Sequence, residues 1–600
     1  MTDRSSDSGA APSADGVQQG AERAPSALRR FVPILGWLPR YQRSWLSADA
    51  IAGATIWGLL VPEMIAYASL AGLPAQAGLY TLLASLGLYA VFGTSRHLVV
   101  AGTSASAILV FSTITALKPA DAATYLTLAA ALVVLTGLLF ILAGLCRLGF
   151  ITSFLSKPVM QGFVFGLALF VTVSQLPKLF GLSKGEGDSI AQLVHLVRHL
   201  DDTSLVTLAV GVVALLTLFV LERLLPRLPA GLVLLVVAIA ASAALDLASH
   251  GVDTVGDIPT GLPTPQVPDV HLADLWVLLP SAAGMLLVIL SEALGAGQTF
   301  ADEHGYRLDP SQEMIALGAA NVGSGLLGGL ACGGSLSQSA VNDGAGARSQ
   351  VSTLVASAFA FVTVIALTPL FADLPDAVLA ALIIHAVSHL MKVGQMRRFY
   401  RLDRRDFWMA GITLTAVVVL DVLPALIIGV TFSLLLLVYR ASRPAISVLG
   451  HTPANPDVLV DIHRQPEARP TAGRLVVRPD APLFYANAQA VQDEVLALVT
   501  RTLPPPRVVI LDLDGNDDLD ITSTEALTKL GATLDKRGVT LAFAHLHDPV
   551  AAMAQRSGLL QAVGPEHVFA NLGLAIAWAD RQSPPTLPPN PDPPGRPTPR

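Results

Sequence analysis

The sequence predicts an all-α polytopic membrane domain followed by a small α/β domain. Apolar residues make up 52% of the 600 and charged residues 14%, against about 45–50% and about 25% in soluble domains. Mean hydropathy is +0.58. The apolar zone runs from about Leu46 to Tyr439, and after Arg443 it gives way to short strand-like and helix-like segments.

Residues 1–45 open with a stretch rich in Ser, Ala, Gly and Asp, too polar to offset the entropy of ordering. They are expected to be disordered and cytoplasmic, and residues 1–28 do not read as a secretory signal, having no apolar core. The membrane domain is expected over 46–440. A spanning helix needs about 20 apolar residues, and plain candidates lie near 51–70, 123–145, 204–221, 228–248, 275–297, 351–371 and 423–439. The segments 78–117, 149–180, 311–342, 374–391 and 407–421 are interrupted or shorter, giving twelve to fourteen crossings in all. Alternate loops hold Arg40 and Arg43, Arg96, Arg147 with Lys157, Arg223 with Arg227, Arg307, Arg348, and a cluster from Lys392 to Arg405. Short basic loops stay cytoplasmic. The stretch from Asp246 to Asp274 has five aspartates and no Lys or Arg, so it is expected on the far side, with both termini inside.

A linker is expected over 441–470 and the α/β domain over 471–581. Residues 473–478, 507–513 and 539–544 pattern as buried strands, and 488–501 and 523–537 as amphipathic helices. The proline-dominated tail, 582–600, is expected to stay extended or disordered.

Composition also excludes functions. A net charge of −7 without a basic surface leaves nucleic-acid binding no electrostatic basis. The two cysteines, Cys146 and Cys332, lie in apolar surroundings where inert thiols are the default. No phosphate loop, nucleophile–base constellation or metal-ligand set is evident, so neither an enzyme nor a bound cofactor or metal is expected. His385 and His389 lie four apart on one helix face; a pair alone makes a poor metal site, and they read as packing or interfacial residues.

Two places break the helical pattern in matching ways: GTSRHLVVAGTSAS at 93–106 and GGLACGGSLSQSAVN at 328–342. Each reads as extended backbone, then Gly, then a half-helix starting at Ser or Thr, good N-cap residues. Non-helical backbone is tolerated at membrane depth only where protein or a cavity surrounds it, and paired breaks in two halves point to a transporter binding site. Tight helix packing through small residues is the alternative. Half-helix N-termini present unpaired N–H groups and about half a positive charge each, which favours a small anion. Thr103, Ser104, Ser106, Ser335, Ser337, Gln338 and Ser339 would add donors.

Each half also places one acid far from any loop: Glu63 lies about 40 residues before the first break and Glu292 about 40 before the second. That parallel spacing indicates an internal repeat. An ionised group inside a span costs at least about 2.5 kcal/mol and is a functional candidate by default. Glu63 is read as a proton-coupling group. For Glu292, binding of a cation or a bond to a Ser/Thr neighbour such as Ser291 is equally open.

The run PEMIAYASLAGLPAQAGLYT with YAVFGTSRH, and later SEALGAGQTFADEHGYRLDPSQEMIALGAANVGSGLL with GGSLSQSAVNDGAGARSQ, resembles the signatures of the sulfate-permease (SulP) family. APLFYANA and VVILDLDGNDDLDITSTEALTKL resemble the STAS domain these carriers bear at the C-terminus. The resemblance implies two inverted repeats of seven spans, half-helices at spans 3 and 10, elevator-type alternating access and a homodimer. It places the anion site on Ala101, Gly102, Thr103, Ser104 and Ser106, and on Gly334, Ser335, Leu336, Ser337, Gln338 and Ser339, with Glu63 and Glu292 beside it as ion or proton coupling groups. Many relatives carry Arg where Gln338 stands, and loss of a fixed cation weakens the case for a dianion unless a proton accompanies it. Ala77 is a smaller departure without interpretation. Near Asp520, Thr522 and Ser523 stand close to the position where related domains carry a phosphorylatable Ser, and they equally serve as helix caps.

The leading expectation is therefore proton-coupled secondary transport of a small anion, of the sulfate, bicarbonate or dicarboxylate class, in a bacterial cytoplasmic membrane. Sodium is the alternative coupling ion. The rival reading is a membrane-bound anion sensor that signals through its STAS domain.

Overall fold

The structure, a computed structural model, describes residues 31–582 except 150–155, 184–188, 225–229, 257, 260, 421, 453–454 and 472. The disorder expected of 1–30 and 583–600 falls outside the described residues. Within 31–45, also expected to be disordered, the chain forms helical turns at Ile34–Trp37, Leu38–Arg40 and Arg43–Trp45. The Tyr41 hydroxyl donates to Asp49 at 3.1 Å, and the Phe31 carbonyl accepts from Gln312 at 3.1 Å. These anchors lie outside the segment, where its own composition gives no sign of them.

The chain divides into two compact units, Met1–Ser433 and Leu434–Arg600. The first opens with α1 (Leu46–Leu70), α2 (Ala75–Phe92), β1 (Val99–Gly102), α3 (Ser104–Ala116), α4 (Ala122–Leu145), α5 (Lys157–Phe180), α6 (Leu205–Leu224) and α7 (Ala230–Leu245). A second series follows: α8 (Leu272–His304), α9 (Pro310–Leu326), β2 (Cys332–Ser335), α10 (Leu336–Gly344), α11 (Val351–Val362), α12 (Asp376–Ser388), α13 (Arg404–Leu420) and α14 (Val422–Ala441). The unit boundary falls within α14. Among the described residues, eight helices are long and apolar enough to cross a membrane, including α8 with 33 residues. At about 1.5 Å per residue α8 is about 50 Å long, well beyond a bilayer core of about 30 Å. By contrast α3 has 13 residues and α10 has 9, too few to cross.

The two series pack as exchanged copies. Helix α4 packs on α9 and α2 on α11; α5 packs on α13 and α6 on α12; α1 packs on α10 and α3 on α8. Adding seven to one member of each pair and subtracting seven from the other gives the next pair. That is the signature of a pseudo-twofold repeat.

The two breaks meet. Strands β1 and β2 pair antiparallel, with Val99 opposite Ser335 and Gly102 opposite Cys332. Two four-residue strands leave many backbone groups unpaired, and side chains supply the rest. Asn321 of α9, fully buried, donates to the Cys332 carbonyl at 2.8 Å and accepts from its amide at 3.0 Å. Ser324 donates to Leu330 O at 2.6 Å, and Leu330 N donates to Thr81 at 2.7 Å. Gln350 donates to the carbonyls of Ser95 and Leu98, both at 3.0 Å.

The second unit is a six-stranded sheet in the order β4-β3-β5-β6-β7-β8, formed by β3 (Ile446–Thr452), β4 (Asn455–Asp461), β5 (Arg474–Pro479), β6 (Val508–Asp512), β7 (Thr540–Ala544) and β8 (Val568–Phe569). Strands β5 to β8 run parallel, and β3 pairs antiparallel with β4 and β5. Val477, Leu511 and Phe543 face one core with α15 (Ala488–Arg501) and α16 (Ile521–Asp535). Val476, Ile510 and Ala542 alternate to the other face, against α17 (Leu572–Gln582). The stretch 441–470, expected as a linker, carries β3 and β4. Its prolines and Asn455 obscure a hairpin whose register is set by pairing with β5.

Replacing Asn321 with Leu should lower stability by about 1–3 kcal/mol, because the buried amide and carbonyl of Cys332 lose their partner. A thermal or denaturant midpoint unchanged from wild type would contradict this role for Asn321.

Candidate functional site

The two half-helices start where the paired strands end. Thr103 caps α3, its hydroxyl accepting from Ser106 N at 3.1 Å while the Ser106 hydroxyl accepts from Thr103 N at 3.1 Å. Ser335 caps α10, accepting from Gln338 N. The first amides of each helix, at Ser104 and Ala105 and at Leu336 and Ser337, have no carbonyl a turn earlier to receive them. Both N-termini therefore present partial positive charge beside the strand pair.

Glycines bring the acids to these termini. A Cβ on Gly102 would lie 3.0 Å from Sδ of Met64, the neighbour of Glu63 in α1. A Cβ on Gly334 would lie 3.0 Å from Cα of Ala293, the neighbour of Glu292 in α8. At Gly334 the added atom would press on the α8 backbone, whereas at Gly102 it would meet the flexible end of the Met64 side chain. The two acids thus occupy equivalent places in the repeat, both half-buried.

Gln338 links the acid to the break. Its side-chain nitrogen donates to Glu63 Oε2 at 2.8 Å and to the Gly102 carbonyl at 3.4 Å. Its side-chain oxygen, buried, has no hydrogen-bond partner among the described residues. Tyr67, one turn beyond Glu63, lies within electrostatic range of both Glu63 and Glu292.

The hydroxyls divide into two groups. Ser106, fully buried, donates to the Ala331 carbonyl at 2.7 Å, and Ser339, fully buried, donates to Ser335 O at 2.6 Å and accepts from Val99 N at 2.9 Å. Both stitch one break to the other, so their protons are directed at backbone, contrary to the expectation that they donate to a ligand. Ser335 and Ser337 share a hydrogen bond at 3.1 Å and are accessible, as is Leu336. Ala101 and Gly102 are buried within β1, and Thr103 and Ser104 are nearly so. Along α3, the face of Ser104 continues through Ile108 and Phe111 into a cavity of about 110 Å³, also lined by Ser69 and Lys178.

Two acids that support the site carry no sequence signal beyond being charged in apolar surroundings. Glu313 of α9 accepts from the Tyr89 hydroxyl at 2.7 Å, from Thr94 N at 2.7 Å and from Ser95 N at 3.2 Å, which holds the chain entering β1. Asp49 of α1 accepts from Arg348 N at 2.7 Å and from the Ser349 hydroxyl at 2.7 Å, at the turn leading to α11.

In the second unit, Asp520 caps α16, accepting from Ser523 N at 2.7 Å and from Tyr485 N at 2.6 Å. Of the two residues considered for phosphorylation, Thr522 is exposed and Ser523 is fully buried. The sequence places the two side by side, and only the turn of α16 separates them.

A sequence model described as the Sulfate permease family matches residues 46–413, and one described as the STAS domain matches 465–575. A Mycobacterium tuberculosis protein described as a probable sulfate transporter is 35% identical over 551 residues, 90% of this chain and 98% of that one. Solute carrier family 26 member 6 of Homo sapiens is 34% identical over 503 residues, 80% of this chain and 66% of that one. The inward-facing structure of the murine solute carrier 26 family member A9 anion transporter superposes with a TM-score of 0.85 at 25% identity, covering 94% of this chain and 97% of that one. The transmembrane domain of a cyanobacterial bicarbonate transporter shares the fold, with a TM-score of 0.58 at 23% identity over 66% of this chain and 98% of that one.

Burial opposes ionisation of Asp520, but the hydrogen bonds from Ser523 and Tyr485 outweigh it and hold the carboxyl below the usual aspartate range. Such a group contributes stability above its unfolded value, about 3.9, and that contribution is lost as pH falls through the lower folded value. Asp520→Ala should therefore destabilise the second unit by about 0.5–2 kcal/mol at neutral pH. The gap between variant and wild type should close only below about pH 4; a gap independent of pH down to that point and beyond would contradict the capping carboxylate.

Proposed function

Because this chain belongs to the sulfate permease family, whose members are anion transporters and not enzymes, we propose that it is a proton-coupled secondary transporter of a small oxyanion, bound between the N-termini of α3 and α10 and linked to protons through Glu63. The observation that carries this reading is the Gln338 bridge, which ties the intramembrane acid to the break at Gly102 through one side chain.

The charge balance supports coupling. Two half-helix termini sum to about one positive charge. With Glu63 as a carboxylate that charge is largely cancelled; with Glu63 protonated it is available to an anion. Proton and anion then favour one another's binding, and the coupling is reciprocal. Gln338 suits both states. Its nitrogen donates to the carboxylate, and its unpartnered oxygen is the acceptor that a protonated Glu63 needs. The accessible hydroxyls of Ser335 and Ser337 and the first-turn amides supply neutral donors. Without a fixed cation at 338, the single positive charge of the protonated site matches a monovalent anion such as bicarbonate, and a dianion such as sulfate needs at least that proton. A relative described as a probable sulfate transporter keeps sulfate in the substrate class. Glu292, next to the Ala293 backbone that Gly334 meets in the second repeat, is the second candidate coupling group.

The motion is read as an elevator: α1–α4 with α8–α11 carry the site past the gate formed by α5–α7 and α12–α14. The grouping of contacts, the family resemblance and the cavity between α1, α3 and α5 support this reading. The basic loops at Arg96, Arg147, Arg223, Arg307, Arg348 and Lys392–Arg405 support a cytoplasmic placement of both termini in a bacterial inner membrane. The homodimer rests on the family resemblance.

In proteoliposomes, radiolabelled sulfate and bicarbonate uptake by the wild type should rise with an inward proton gradient. Glu63→Gln should flatten that dependence, while anion binding by the purified variant persists. Uptake by the variant that keeps the wild-type pH profile would remove Glu63 from the coupling role.

A further inference from the structure

Away from the half-helices, three donor side chains converge near the ends of α6 and α12. His385 lies in the last turn of α12 and His389 at its C-cap, so the spacing of four puts both on one helix face. Glu222 comes from the last turn of α6, and its carboxylate reaches both: Oε2 is 2.9 Å from Nε2 of His385, and Oε1 is 3.2 Å from Nε2 of His389. The donor atoms all lie within 4.8 Å of one another. The imidazole planes stand at 89° with centroids 5.0 Å apart, so the rings approach from different directions. Phe219, three residues before Glu222, packs edge-on against His385 with centroids 4.9 Å apart and restrains its ring. The His385 side chain is 14% exposed, whereas Glu222 and His389 are about half exposed, so the cluster opens to one side.

We propose that Glu222, His385 and His389 form a binding site for a divalent transition-metal ion, Zn²⁺ being the member that fits. Two imidazoles and one carboxylate, with a fourth position open to water, are a common zinc donor set. Hard cations such as Ca²⁺ and Mg²⁺ prefer all-oxygen sites. Two ligands at about 2.0–2.1 Å from a tetrahedral ion are about 3.3 Å apart. The nitrogen–oxygen separations here are 2.9 and 3.2 Å and all three donors lie within 4.8 Å of one another, so the ion is admitted when the two imidazoles close on it. Entry replaces imidazole N–H···O contacts by coordinate bonds and releases any proton on the ligating nitrogens. The bound ion would clip α6 to α12, two helices that also pack on α5.

A second grouping, His97, His304 and Asp343, provides a contrast. Its imidazoles are stacked at 20° with centroids 4.1 Å apart, and His97 lies 3.8 Å from Asp343. His304 lies 2.8 Å from Asp343 and the three donor atoms also lie within 4.8 Å of one another, so this cluster is the competing site from which His304→Ala separates the proposed one.

The test uses the full-length chain in nanodiscs, stripped with a chelator and titrated with Co²⁺, whose visible d–d absorption reports tetrahedral coordination. One Co²⁺ per chain is expected, displaced by Zn²⁺. His389→Ala, which changes a half-exposed side chain, and Glu222→Gln should each weaken binding by at least about tenfold. His304→Ala should leave it unchanged. The proposal is overturned by the absence of d–d absorption up to millimolar Co²⁺. It is equally overturned by wild-type affinity in both His389→Ala and Glu222→Gln, or by loss of the signal in His304→Ala alone.

Discussion

The constraint on which the first unit depends is that backbone polar groups at membrane depth need partners. Two interrupted helices expose such groups, and neither break is satisfied alone. Pairing β1 with β2 satisfies part of the need, and Asn321, Ser324, Thr81, Gln350, Ser106 and Ser339 supply the remainder. These side chains belong to both halves of the chain. The paired breaks are thus held by hydrogen bonds that cross the repeat, and the half-helices are kept from winding into continuous spans.

The same requirement explains why the site is rich in small residues. Gly334 admits the backbone of α8 beside Glu292, and Gly102 admits the Met64 side chain next to Glu63 in α1. A larger residue at Gly334 would meet the α8 backbone at Ala293. Polarity and packing are therefore one design: the glycine that breaks the helix also seats the neighbour of the acid.

The buried carboxylates divide by the company they keep. Asp49 and Glu313 accept several hydrogen bonds each from amides and hydroxyls, and each pins an entry into an element. Glu63 accepts from Gln338, and no protein hydrogen bond to the Glu292 carboxylate is found among the described residues. Fully bonded acids hold the fold; the sparsely bonded ones are those to which the proposed function gives proton coupling. The second unit follows ordinary sheet alternation, with apolar residues buried on both faces, Val477, Leu511 and Phe543 on one and Val476, Ile510 and Ala542 on the other.

Much of this was legible in the sequence, because a span and its interruption are local properties. Apolar run length located the helices, Gly followed by Ser or Thr located both breaks, and the isolated acids announced themselves by cost. Partner choice was not legible. Gln338 meets Glu63 across 275 positions, and Glu222 meets His385 across 163. Periodicity states which face of a helix is apolar but carries no record of which distant helix will cover it. For that reason the serines at the two breaks looked alike until packing separated Ser106 and Ser339, turned toward backbone, from Ser335 and Ser337, turned toward open space. Likewise the hairpin of β3 and β4 read as linker because its strands gain their order from β5, and a histidine pair read as packing lacked its third donor until α6 was laid beside α12. Hydrophobic run length and charge cost are written along the chain; hydrogen-bond partnership arises only when the chain has closed on itself.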